Sequence, residues 1–420
     1  MRSMNQYAII PPSRLEATIN LPASKSISNR VLLISALSGS TILPENLSDC
    51  DDTNVMVKAL RDMPEVIDIG AAGTAMRFLT AYLSISEGTH VITGSPRMLE
   101  RPIGELVEAL KKLGADIEYV GREGYPPLRI TGRKLTGGMI EMPGNISSQF
   151  VSALLLVAPY FEKEFELKLT EGLTSRPYID LTLCMMRECG ADAGWTSANT
   201  LQVIPGNYRA HPIVVENDWS SAAFWYEMMA LSSDPEAEIK LEGLVDGSRQ
   251  GDAVVRYLFS LLGIKTKFGT LQQGVPTTVT LKRSGRSVLR LDYDFANQPD
   301  IAQPMVVSCC MTNVPFRFKG LSTLRIKETD RLSALQEEML KLGCVLKIED
   351  DHTLLWDGER VDAREHPVIN TYKDHRMAMS FAPVSMMFPG VRIDDPMVVS
   401  KSYPGFWNDL RKAGFDILNT

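Results

Sequence analysis

A helical stretch closed by glycine and followed by a short alternating strand recurs along this chain every 70 to 80 residues or so. The copies are IGELVEALKKLGADIEYV (103–120), YIDLTLCMMRECGADAGW (178–195), AVVRYLFSLLGIKTKF (253–268), RLSALQEEMLKLGCVLKIE (331–349) and FWNDLRKAGFDIL (406–418). Leu106, Val107, Leu110 and Leu113 form one apolar face, as do Val255, Leu258, Phe259 and Leu262, and Leu332, Leu335, Met339 and Leu342. Gly114, Gly190, Gly263, Gly343 and Gly414 then stand where a left-handed cap ends a helix. A sixth, glycine-less copy is expected from Asp51 to Met63. The interval is too long for a solenoid and suits a βαβαββ unit, so six units divide the chain into two pseudo-symmetric α/β domains of three. Helix, glycine and strand also follow one another in unrelated α/β proteins, and that reading stands beside the repeat.

With 44% hydrophobic and 23% charged residues, the chain has apolar content for two large cores. A net charge of −7 gives no global electrostatic reason to expect nucleic acid or an anionic membrane as partner, so an anion site must be local. The six cysteines form no CxxC pair and no His stands at ligand spacing, which suggests neither a metal site nor a disulfide framework and fits a reducing cytoplasm. Met1 to Pro12 shows no apolar leader core and no transit-peptide character. Export, plastid import and membrane spanning are not expected.

Several segments place hydrogen-bonding or basic residues at helix starts, where exposed N–H groups favour anions. Lys25, Ser26 and Arg30 lie in PASKSISNR ahead of an apolar run, without the spacing of a nucleotide P-loop. Gly73 and Thr74 lie in GAAGTAMR, where a bare backbone can approach a ligand. Arg97 and Arg101 precede the helix starting near Ile103, and Arg matches carboxylate or phosphate bidentately. Ser147, Ser148 and Gln149 give three adjacent polar side chains where capping needs one, and Ser175 to Tyr178 repeats the arrangement with a proline in the first turn. The C-terminal half adds Asp300, the run Lys327, Glu328, Asp330 and Arg331, then Asp374-His375-Arg376 and Lys401. Each segment alone also reads as an ordinary cap with solvated charges.

Taken in order, SKSISNR, AGTAMR, ERPIG, NISSQF, SRPYI, RIKETDRL, DHRMAM and Lys401 resemble the 5-enolpyruvylshikimate-3-phosphate (EPSP) synthases, an enolpyruvyl transferase family. The resemblance implies two inverse α/β barrel domains of three βαβαββ units each, residues 1–22 plus 217–420 forming one and 23–216 the other, closing on substrates between them. It implies transfer of the enolpyruvyl group of phosphoenolpyruvate to the 5-hydroxyl of shikimate 3-phosphate, in the shikimate pathway to chorismate. It implies no cofactor and no metal. A monomer is expected. Matched by position, Lys25, Ser26, Arg30, Ser147, Ser148, Gln149, Ser175, Tyr178, Asp300 and Lys327 fall on shikimate 3-phosphate contacts. Lys25, Gly73, Arg101, Gln149, Arg331, His375, Arg376 and Lys401 fall on the phosphoenolpyruvate side. Asp300 and Glu328 match the proton-transfer carboxylates, with Lys25 as an alternate acid.

Ala71 and Thr323 stand where many members have Asn, and Phe78 where Pro is frequent, which leaves glyphosate sensitivity open. The sister enzymes acting on UDP-N-acetylglucosamine typically carry a reactive Cys where this chain has Pro96, and a Lys-Asn pair where it has Lys25-Ser26. A catalytically silent module sensing shikimate-type ligands is the alternative outside enzymes. Retention of Asp300, Glu328 and the cations argues against it.

Overall fold

The structure is a computed structural model describing residues 6–40, 44–270 and 272–420; residues 1–5, at the start of the segment read for a leader, lie outside the described residues. The chain forms two compact units, Met1–Pro22 with Glu216–Thr420, and Ala23–Val215. Each has its own apolar core. Glu216 belongs with the first unit, one residue earlier than the expected boundary.

The terminal unit contains three four-stranded sheets of one topology. In the plainest, Leu291–Asp294 lies parallel to Phe316–Lys319, which pairs antiparallel with Thr353–Trp356, which pairs antiparallel with the edge strand Lys347–Glu349. A second sheet pairs Glu16–Asn20 in parallel with Glu238–Val245, although the whole other unit lies between them in sequence. The third takes Gln6–Ile10 from the start of the chain between Arg392–Asp394 and Asp416–Asn419. Residues 23–215 are thus an insertion between the first two strands of a repeat, and no linker composition is needed to mark it.

The inserted unit repeats the topology in Val66–Asp68, Thr89–Thr93, Leu128–Thr131 and Asp116–Tyr119, and again in Gly138–Pro143, Phe165–Thr170, Thr200–Val203 and Ala193–Trp195. Its third repeat contributes, among the described residues, a single parallel bridge between Glu45 and Val214.

The recurring glycines are explained by this layout. All five have positive φ, from +82° to +101°, one residue beyond a helix C-cap. The strand after each is the edge of its sheet, so the motif read along the sequence is a half-exposed helix, its cap and a sheet edge. The sixth copy forms the helix Asp51–Asp62, and Met63 takes the left-handed cap at φ +39° without glycine. The strand after it, Val66–Asp68, opens the next sheet instead of closing its own.

The longer helices between them are buried on nearly every side and are largely apolar beyond their first turns, as such burial requires. In the terminal unit these are Trp219–Leu231, Ala302–Met311 and His375–Phe381, packed on one another beneath the sheets. In the inserted unit they are Lys25–Leu37, Gly73–Ile85 and Ser148–Val157. Helices inside and sheets outside make an inverse α/β barrel architecture. Among the described residues no helix is long and apolar enough to cross a membrane.

Candidate active site

The buried helices matter for chemistry because many of the expected residues sit at or just before their first turns. In the terminal unit, Arg376 ties three such ends together: Nη1 donates to the Asp300 carbonyl at 2.9 Å and Nη2 to Ser220 Oγ at 2.6 Å. Asp300 lies in the 3-10 turn Pro299–Ile301 that leads into the helix Ala302–Met311, and Ser220 lies in the first turn of Trp219–Leu231.

Around this junction the C-terminal motifs come together. Arg331 is 1% exposed and donates through Nη1 to Asp300 Oδ1 at 3.1 Å, through Nη2 to Glu328 Oε2 at 2.9 Å, and through Nε to Asp374 Oδ2 at 2.7 Å. Lys401 Nζ donates to Glu328 Oε1. Lys327 Nζ and Arg376 Nη2 stand 3.6 and 3.3 Å from the Asp300 carboxylate. His375 is buried, with Nδ1 3.7 Å from Asp374 Oδ1. A solvated helix start therefore does not describe Arg331. Asp330 does act as the cap, accepting from Leu332 and Ser333 N–H.

The named groups comprise four cations, Lys327, Arg331, Arg376 and Lys401, against three carboxylates, Asp300, Glu328 and Asp374. Burial alone pushes the Asp300 carboxyl upward, but Arg376, Lys327 and Arg331 outweigh it and hold the group well below the usual carboxylate range. Burial likewise disfavours the Arg331 charge, and Asp374, Glu328 and Asp300 more than restore it. Such a cluster is built to exchange some internal ion pairs for a small polyanion.

The inserted unit presents neutral donors and cations of its own. Lys25, Gly73 and Ser148 each open a buried helix. Lys25 Nζ lies 3.8 Å from Asp52 Oδ2. Ser147 caps the helix it precedes, Oγ accepting from Gln149 N–H at 3.3 Å, while the Gln149 side chain donates to Thr74 Oγ1 at 3.2 Å. Ser175 is buried with φ +56°, and its carbonyl accepts from Tyr178 N–H at 3.1 Å. Arg30 is turned into the unit: it donates to Ser26 and Tyr178 carbonyls, Thr182 Oγ1 and Ser152 Oγ, and burial pushes it down to about 10 despite Tyr178. Phe78, one of the departures from the family pattern, packs its ring 5.5 Å beneath that guanidinium.

Arg97 and Arg101 separate. Arg97 pairs with Glu100 on the surface, whereas Arg101 is buried over Gly73, where a Cβ would lie 2.7 Å from Nη1. Arg77 supports the same turn from below by donating to the Gly73 carbonyl at 3.0 Å. Ser220, Ser152 and Thr182 were not singled out from the sequence, and Asp374 was read there within the Asp374-His375-Arg376 run without a role of its own. The one available signal was Asp374 at a capping position, where its side chain accepts from Arg376 N–H.

The family model for EPSP synthase (3-phosphoshikimate 1-carboxyvinyltransferase) matches residues 9–66 and 62–410. The chain belongs to the EPSP synthase family. A 3-phosphoshikimate 1-carboxyvinyltransferase of Bacteroides fragilis is 56% identical over 412 residues, covering 98% of each chain. One from Shewanella halifaxensis is 33% identical over 435 residues, covering 97% of this chain and 99% of its own. Among solved structures, EPSP synthase from Acinetobacter baumannii shares the fold with a TM-score of 0.78 at 23% identity over 99% of this chain and 100% of that one. The enolpyruvyl transferase NikO from Streptomyces tendae does so at 0.75 and 17%, over 99% of both chains. Membership of the EPSP synthase family therefore rests on sequence across nearly the whole chain, and the architecture agrees with it.

Proposed function

We propose that the chain transfers the enolpyruvyl group of phosphoenolpyruvate to the 5-hydroxyl of shikimate 3-phosphate, releasing phosphate through a tetrahedral addition–elimination intermediate. The observation that carries this reading is the Asp300 carboxylate gripped by Lys327, Arg331 and Arg376 beside a second acid, Glu328. Shikimate 3-phosphate is assigned to Lys25, Ser26, Arg30, Ser147, Ser148, Gln149, Ser175 and Tyr178, with Asp300 and Lys327 at its ring hydroxyls. Phosphoenolpyruvate is assigned to Arg331, His375, Arg376 and Lys401, together with Lys25, Gly73, Arg101 and Gln149.

When the phosphate and carboxylate of phosphoenolpyruvate take up cationic donors, Asp300 and Glu328 lose counter-charge and become more basic. Asp300 then accepts the proton of the 5-hydroxyl as its oxygen bonds to C2, while Glu328, or Lys25 in its place, protonates the methylene carbon. Loss of a methyl proton to the group that donated it, now in its basic form, restores the double bond as the C2–O bond to phosphate breaks, and the Arg and Lys side chains stabilise the departing anion. The six free cysteines support action in a reducing cytoplasm, and a monomer is the form proposed.

The test is phosphate release with both substrates present. Turnover with shikimate 3-phosphate and none with UDP-N-acetylglucosamine is expected. Binding of shikimate 3-phosphate without phosphate release under any condition would leave only a sensing module.

A further inference from the structure

The segment that delivers Asp374, His375 and Arg376 is held under strain by a clamp that neither the motifs nor the mechanism above account for. The Asp374 N–H donates to the Thr371 carbonyl at 2.8 Å, closing a turn whose central residues, Tyr372 and Lys373, have φ of +53° and +57°. Two successive left-handed residues define a primed turn, which favours Gly, Asn and Asp. Tyrosine and lysine adopt it only where their surroundings impose it.

What imposes it is the helix Arg331–Lys341. Arg331 and Glu338 are seven residues apart and so lie on one face, two turns from each other. Arg331 grips Asp374 beyond the turn. Glu338, 0% exposed, grips the turn itself: Oε1 accepts from Tyr372 Oη at 2.7 Å and Oε2 from Asn370 N–H at 3.1 Å. Lys341 compensates the buried carboxylate at 2.6 Å and also donates to the Val368 carbonyl at 2.9 Å. Tyr372 Oη reaches Glu337 Oε2 at 2.6 Å as well. Of the two strained residues, Tyr372 is anchored, while Lys373 is exposed.

We infer that Tyr372 and Glu338 are positioning residues of the phosphoenolpyruvate site, holding a strained turn so that Arg376 and the Asp374–Arg331 pair stand where the anion is bound. The inference rests on the function proposed above. It explains why one helix carries both a site cation at its start and a buried acid two turns later. A clamp of this kind bears first on phosphoenolpyruvate, because the contacts to shikimate 3-phosphate from the inserted unit and from Lys327 do not run through the turn, whereas Asp300 is held by Arg331 and Arg376 themselves.

The test uses the full chain with Tyr372→Phe, Lys373→Gly and the double variant, read in two ways. Hydrogen exchange needs no substrate: Tyr372→Phe is expected to accelerate exchange of the Asp374 and Arg376 amides at least tenfold. In steady-state kinetics the same variant raises KM for phosphoenolpyruvate about tenfold, with KM for shikimate 3-phosphate within about twofold of the parent. Lys373→Gly, which adopts the left-handed region without strain, restores that KM to within about threefold when added to Tyr372→Phe. A residue that merely fills space would not be rescued in this way. Unchanged exchange overturns the clamp; faster exchange with unaltered KM, or a double variant no better than the single, overturns the positioning role. A parent protein without turnover defeats the proposed function instead, and exchange then still decides the clamp.

Discussion

Arg331 Nη1 donates to Asp300 Oδ1 at 3.1 Å, so the carboxylate assigned as base is locked to a cation that is almost wholly buried. Asp300→Ala is therefore expected to keep shikimate 3-phosphate binding within a few-fold while turnover falls by roughly a hundred- to ten-thousandfold, the usual range for a general base. Calorimetric titration together with phosphate release separates the two effects. An unchanged rate removes Asp300 from its role.

The same ion pairs set a pH dependence. The folded-state value of Asp300 is depressed below its unfolded value, so the folded protein binds fewer protons and its stability rises with pH. That contribution is complete above the unfolded carboxylate value of about 3.9 and is lost as pH falls through the folded value. Asp300→Asn should flatten the loss of stability below about pH 4 while leaving the curve's shape near pH 7 unaltered. Denaturant midpoints measured down the acid limb check this, and parallel curves for variant and parent would contradict it.

Gly73→Ala places a methyl group 2.7 Å from Arg101 Nη1, closer than any real contact. The obstructing atom ends a flexible side chain, so the fold accommodates the change and the guanidinium moves. KM for phosphoenolpyruvate is expected to rise about three- to tenfold, close to 1 kcal/mol, with the thermal midpoint nearly constant. Glyphosate inhibition, measured beside it, should weaken if the inhibitor uses the same donor.

The repeat glycines differ in what surrounds them. At Gly114 a Cβ meets nothing within 4 Å, whereas at Gly343 it would lie 2.6 Å from the Val361 carbonyl oxygen. Gly114→Ala should cost only the left-handed strain, about 1 to 2 kcal/mol. Gly343→Ala should cost that plus a backbone displacement, about 1 to 3 kcal/mol more. Chemical denaturation of the two variants gives the comparison, and equal losses would mean that the packing at Gly343 is not tight.

Much was legible because it is local. An apolar face two to three turns long, a glycine at its end and a hydroxyl or Asp before its start each act through neighbours in sequence, so the outer helices, their caps at Gly114 to Gly414 and the roles of Ser147 and Asp330 could be read from residue types alone. The sheets were less legible. Backbone ladders carry no sequence signature of their partner, and nothing in Gln6–Ile10 tells that it completes a sheet with Arg392–Asp394 and Asp416–Asn419.

Charges were the least legible. Arg97 and Arg101 look alike in sequence, yet one pairs on the surface and the other is buried over Gly73. Asp374 reads as a cap and also holds Arg331, forty-three residues away, at 2.7 Å. By itself the sequence determined the repeating element, the capped helix starts and the inventory of ionisable side chains, since these depend on local sterics and chemistry. Only the tertiary structure decided which of those side chains are paired and buried, because electrostatic energy depends on through-space distance and on exclusion of water, and chain packing sets both.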